Sequence, residues 1–121
     1  MAKHIPDATL DAMLDVTEGT ELFYCSAQPT NYTEASSTYK LADAAISGAN
    51  YAAANGDTSG RKNTITPPTG TAIDTTGTCT HVAICSGGTT LRLVTTCTSQ
   101  ALTSGGTVTG NAFDHELGDP T

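Results

Sequence analysis

The sequence predicts an all-β domain, an antiparallel β-sandwich or barrel-like body with a short N-terminal α-helix. Three observations predict it. Threonine fills about one in five of the 121 positions, and its β-branched side chain favours extended backbone. Short β-prone runs alternate with Gly, Pro, Asn and Asp turns, the pattern of a sandwich or barrel. A single segment, close to the N-terminus, carries apolar residues at helical spacing. One domain is the natural count at this length. It divides into a helix or docking arm over 1–19 and a β-sandwich over 20–121.

Ile5-Pro6-Asp7 opens the helix, with Pro6 near its first position and Asp7 as cap or first-turn acid. Leu10, Met13, Leu14 and Thr17 recur at spacings of three and four. Asp7, Asp11, Asp15 and Glu18 lie on the other side, and Gly19 closes the segment. Two readings follow: a helix packed on its own domain, or an acidic arm that docks on a neighbouring subunit through Leu10, Met13 and Leu14.

Glu21-Leu22-Phe23-Tyr24-Cys25 reads as a strand. The Ser/Thr-rich stretch 30–38 reads as loop, and 39–46 is ambiguous between helical turn and strand. Tyr51-Ala52-Ala53-Ala54 runs into the tight-turn signal Asn55-Gly56-Asp57. Arg61 to Thr66 alternates weakly and stops at Pro67-Pro68. Thr71-Ala72-Ile73-Asp74 is a further short strand. Residues 79–85 and 91–97 are β-prone and flank Gly87-Gly88, a hairpin signature. A last strand is expected within 107–117, before a closing Gly118-Asp119-Pro120.

Charge excludes some functions. Five basic residues stand against twelve acidic ones, a net charge of −7. Sequence-general nucleic-acid binding needs a basic stripe that displaces counterions, and none is present. No apolar run approaches the ~20 residues of a membrane span. Met1-Ala2-Lys3-His4-Ile5-Pro6-Asp7 has no apolar stretch after Lys3, so no secretory signal is expected.

The disulfide candidates are Cys25, Cys79, Cys85 and Cys97. None has Cys-x-x-Cys spacing, which argues against a zinc ribbon or thioredoxin-like motif. With a three-residue hairpin loop at 87–89, Ser86 faces Thr90 and Cys79 falls opposite Cys97, near the separation a disulfide needs. Period two puts Cys79, His81, Ala83 and Cys85 on one face and Val82 and Ile84 on the other. Buried free thiols, internal disulfides and cross-links between subunits all fit the sequence. An extracellular particle assembled inside a cell can oxidise after release.

No catalytic, cofactor-binding or metal-ligating set emerges, and an enzyme is not expected. On a strand, His115 faces away from Asp114 and Glu116, so the three form no relay. His81 lies near Cys79 and Cys85 as a possible Cys–His pair, without an orienting acid or oxyanion loop at recognisable spacing. The Gly56 to Lys62 stretch lacks phosphate-loop spacing and reads as a turn entering a strand. Arg61 and Lys62 form the one adjacent basic pair, a candidate contact for an acidic neighbour. Asn31-Tyr32-Thr33 matches a glycosylation sequon, which has meaning only in a eukaryotic secretory setting.

Several motifs occur together: His4-Ile5-Pro6-Asp7, Tyr39-Lys40-Leu41-Ala42-Asp43, Gly56-Asp57-Thr58-Ser59-Gly60-Arg61-Lys62 and Thr80-His81-Val82-Ala83. Further on come the run 94–105 and Phe113-Asp114-His115-Glu116-Leu117-Gly118-Asp119-Pro120. As a set they resemble a family of small structural proteins of tailed-bacteriophage virions, over nearly the whole chain. The resemblance implies a β-rich virion protein, a capsid decoration or minor capsid protein with no catalytic residues. Cys97 matches the family pattern. Cys79 and Cys85 are additional to it, which implies a particle-specific use such as covalent cross-linking.

The function expected is therefore a decoration (cement) protein that binds and stabilises the major capsid lattice. Its partners would be the major capsid protein, other virion proteins and further copies of itself, with a trimer possible and no nucleic acid or membrane. The alternative is a collar, tail or fibre component that binds a host-surface glycan, although few aromatic platforms for sugar stacking are available.

Overall fold

The computed structural model describes residues 5–118. His4 of the N-terminal motif and the closing Asp119-Pro120 lie outside the described residues.

Pro6 holds extended backbone and starts helix α1 (Asp7–Asp15). Leu10 and Leu14, one helical turn apart, share a stripe and are each 1% exposed. Met13 and Val16 lie off that stripe, 47% and 62% exposed. Leu10 and Leu14 are thus core residues of their own chain and not outward contacts. The arm is docked on its own body, against strands β4 (Arg61–Ile65) and β9 (Phe113–Leu117).

The remaining strands are β1 (Glu21–Cys25), β2 (Lys40–Ala45), β3 (Tyr51–Asn55), β5 (Thr71–Ala72), β6 (Gly77–Ser86), β7 (Thr90–Leu102) and β8 (Thr107–Val108). All pairings among them are antiparallel. They form a four-stranded sheet in the order β2-β1-β6-β7, a three-stranded sheet in the order β3-β4-β9, and the pair β5-β8. The all-β class with its N-terminal helix holds, in a sandwich-like arrangement.

The four-stranded sheet is apolar on both faces. Leu22, Tyr24, Val82 and Ile84 face inward, where they meet Ile65, Ile73 and Leu102, with Tyr51, Phe113 and Val108 packed alongside. Phe23, Cys25, Ala83 and Cys85 face the other way, under Ala35, Tyr32 and Tyr39. The Tyr32 ring stands edge-on to Phe23, centroids 6.0 Å apart. The stretch read as loop is therefore a cover. Asn31 Oδ1 accepts the Glu34 N–H, Glu34 reaches back to the Thr30 N–H and hydroxyl, and a wide helical turn follows over Glu34–Thr38. The ambiguous 39–46 stretch resolves as β2, because β1 needs a neighbour on the side away from β6.

The hairpin has the expected three-residue loop, with Ser86 opposite Thr90 and with Gly87 and Gly88 at φ +63° and +70°. The register then drifts. Arg92 is an extra residue on β7, and a second excess follows between the Cys79–Gln100 and His81–Thr96 pairs. Cys79 therefore pairs with Gln100 and not with Cys97. The same irregularity breaks the period-two expectation for β6. Cys79 joins the face of Val82 and Ile84, whereas Ala83 and Cys85 lie on the other. The expected last strand is interrupted: β8 pairs with β5 and β9 pairs with β4.

Leu14→Ala removes a fully buried side chain between helix and sheet, and should cost about 2–5 kcal/mol. Met13→Ala, off the stripe, should cost under about 1 kcal/mol. Urea unfolding of both variants checks the assignment. Equal costs would mean that the helix does not pack through Leu14.

Candidate functional site

Period two divides the three-stranded sheet. Arg61, Asn63 and Ile65 point to one face, as do His115 and Phe113, the register partners of Asn63 and Ile65. The Ile65 end of that face meets the four-stranded sheet, and the Arg61 end meets α1. Polar groups fix the helix there. Arg61 Nε donates to Asp11 Oδ1 at 2.8 Å and Nη1 to Asn55 Oδ1 at 2.8 Å. Asn63 Nδ2 donates to Glu18 at 3.3 Å, and the Gly19 N–H donates to the Tyr51 hydroxyl at 2.8 Å.

His115 completes this seam. Its Nδ1 lies 3.1 Å from Thr17 Oγ1, whose single proton goes to the Leu14 carbonyl at 2.7 Å. The hydroxyl therefore accepts, and Nδ1 carries the hydrogen. Burial lowers the His115 pKa below 6.5. Burial and neighbouring Asp15 raise Glu18.

Lys62 points to the opposite face, with Asp57 at 2.8 Å and Asp114 at 3.1 Å. Thr64 donates to Asp114 at 2.7 Å, and this bond together with Lys62 holds the Asp114 carboxyl below its ordinary range. Glu116 accepts the Asp57 N–H at 2.6 Å. Alternation thus separates His115 from its acidic neighbours, as the sequence indicated. Adjacent Arg61 and Lys62 are parted in the same way. Both are already paired within the chain, so neither is an unclaimed cation for an acidic neighbour.

The four cysteines are free thiols. Cys25 and Cys85 are fully buried on the outer-facing core, where burial pushes them up to about 12 and about 11. Cys79 and Cys97 approach on the inner face, Sγ to Sγ 3.6 Å, a thiol contact and not a bond. Burial first, and then the Cys97 contact, push Cys79 up to about 12. Its sulfur also donates to the His81 carbonyl at 3.5 Å, while His81 Nδ1 faces the Thr80 hydroxyl at 2.8 Å. The Cys–His pair is not assembled. Three buried thiols and a half-buried one turned inward give no exposed pair for stapling neighbours.

The two sulfurs line a cleft of about 590 Å³ with Tyr24, Gln100, Asn111 and Phe113. The Tyr24 hydroxyl accepts the Gly110 N–H at 3.1 Å and anchors the segment that forms one wall. A Cβ at Gly110 would stand 2.7 Å from that oxygen, so a side chain there would push the hydroxyl and the wall apart. Sequence reasoning missed this cleft. Tyr24 reads only as an apolar strand residue, and Asn111 only as part of a strand. Among the described residues, no helix is long and apolar enough to cross a membrane.

Comparison of the chain with protein-family models, curated proteins and solved structures gave no match.

The seam predicts a pH dependence. Well above 6.5, His115 is neutral in folded and unfolded chains alike. As pH falls below 6.5 the unfolded chain binds the proton first, so stability is lost down to the lowered folded value. Glu18 works in the opposite direction but is shared with a His115→Gln variant. The wild type should lose thermal stability relative to that variant between about pH 7 and pH 5. A constant difference would show that the ring titrates normally.

Proposed function

We propose that the protein is a structural virion subunit, a decoration protein that binds the major capsid lattice in many copies. The observation that carries this reading is the placement of charge. All twelve acids lie at or before Asp74 or at or after Asp114. The run 75–113 holds none, and it contains β6, β7 and β8. Copies of a chain with net charge −7 repel on a crowded shell unless their acids are kept from the contacts. Here acids collect on α1, on the outer face of the three-stranded sheet and around β2, and Glu21 accepts the Gly88 N–H at the hairpin tip; the strands β6 and β7 themselves carry one formal charge, Arg92. The motif resemblance described above supports the same class.

On this reading Met13 and Val16, not Leu10 and Leu14, are the apolar contact with the major capsid protein, while the β6–β7 side meets neighbouring copies. Among the described residues they are the exposed large hydrophobics. Removing an interface anchor commonly costs more than about 1 kcal/mol.

A second reading, a collar, tail or fibre module for a host-surface glycan, is favoured by the cleft, whose wall offers Tyr24, Gln100 and Asn111. Copy number separates the two. Quantitative mass spectrometry of purified particles should find copies in the hundreds, in proportion to the major capsid protein. A small set confined to one vertex would overturn the capsid reading. Met13→Asp combined with Val16→Asp should weaken binding to undecorated shells at least about tenfold with the fold intact. Unchanged binding would remove these two side chains from the interface.

A further inference from the structure

The second irregularity of the hairpin has a chemical result. Between the Cys79–Gln100 and His81–Thr96 pairs, β6 contributes one residue and β7 contributes three: Cys97, Thr98 and Ser99. Bulges of this kind re-aim side chains. Strand pairing sets Cys79 against Gln100, yet the bulge turns Cys97 onto the inner face, with its sulfur 3.6 Å from that of Cys79. Cys79 and Cys97 both line the cleft, Cys79 buried and Cys97 half-buried. Cys25 and Cys85 sit in the opposite core and do not line the cleft.

We propose that Cys79 and Cys97 are an oxidisable dithiol, converted to an intramolecular disulfide by a peroxide or a small disulfide entering the cleft, while Cys25 and Cys85 stay reduced. Cys97 is the first nucleophile because it is the accessible one. Its thiol gives up a proton, and its sulfur attacks a peroxide oxygen. The O–O bond breaks, giving Cys97 sulfenic acid and one water. The Cys79 sulfur then displaces the sulfenic oxygen, which leaves with the Cys79 proton as a second water. Two thiols lose two electrons and two protons, and the peroxide is reduced to two waters. With a small disulfide the intermediate is a mixed disulfide, and two small thiols leave.

Closure from 3.6 Å to a bond of about 2.05 Å is a side-chain movement and does not require strands to re-register. The bond would tie β6 to β7 at the place where their pairing is interrupted. A cross-link over this span constrains the unfolded chain. The inference rests on the sulfur geometry alone and holds with or without a capsid, so its failure leaves the virion reading standing.

The test uses the full chain, held in reductant or treated with hydrogen peroxide or oxidised glutathione. Expected after oxidation are a monomer lighter by two hydrogens, a Cys79–Cys97 peptide link and two remaining thiols in denaturant. The melting temperature should rise by roughly 5–12 °C and fall back with reductant. Cys97→Ser, at a half-buried position, should fold and show neither the link nor the rise. Cys79→Ala gives a second check on the partner. Four free thiols after oxidation, a link through Cys25 or Cys85, sulfinic acid without a link, or a disulfide-bonded dimer would each overturn the assignment.

Discussion

Strands β1 and β6 bury side chains on both faces, and most of the rest of the chain covers one face or the other. Leu22 and Tyr24 face inward while Phe23 and Cys25 face outward, and Ile84 and Cys85 on β6 divide in the same way. A sheet exposed to water on one side needs apolar residues only at alternate positions. Here the outward side needs its own lid, the 31–39 segment with Tyr32, Ala35 and Tyr39. The inward side needs a second layer, supplied by Ile65, Ile73, Leu102 and their neighbours. The three-stranded sheet then has one half of its own inner face left over, and α1 fills it with Leu10 and Leu14. The chain reaches a closed core with few aromatic residues because one pair of strands is shared between two clusters.

The irregularities of β7 matter as much as its regular part. It is the free edge of the four-stranded sheet, 13 residues long. A long flat edge with little charge invites pairing with other chains. Extra residues at Arg92 and at Cys97 to Ser99 break the flatness, as edge bulges do in many sheets. The second bulge also brings the two sulfurs together. One local distortion thus blunts an edge and builds a dithiol.

Much of the fold is legible in the sequence. Glu21–Cys25, the Asn55-Gly56 turn, the Gly87-Gly88 hairpin and the Pro6 helix start each carry a local signal, and the structure places them as expected. What the sequence hides depends on partners distant in the chain. Lys40–Ala45 is Ala-rich and becomes a strand only because β1 has an open side. The cover at 31–39 carries a short local signal: Asn31 three residues before Glu34 has the spacing of a capping box. Leu10 and Leu14 could not be separated from Met13 by periodicity, since three adjacent apolar positions span both the buried stripe and its margin. The Cys79–Cys97 contact was reached through a register that the bulges invalidate. The bulges themselves leave no mark in a run of threonines. The cleft needs the 108–113 segment to cross the sheet, which no local pattern announces.

On the proposed reading, charge is segregated so that copies of an acidic chain pack together on a shell. The most direct measurement is an image of the decorated particle at a resolution that fixes the orientation of each copy. Copies are expected at repeating lattice positions. Lys62, Asp114 and Glu116 should face solvent, and the acid-poor β6–β7 side should turn toward neighbouring protein. Copies restricted to a single vertex, or contacts built through the acidic face of the three-stranded sheet, would contradict it.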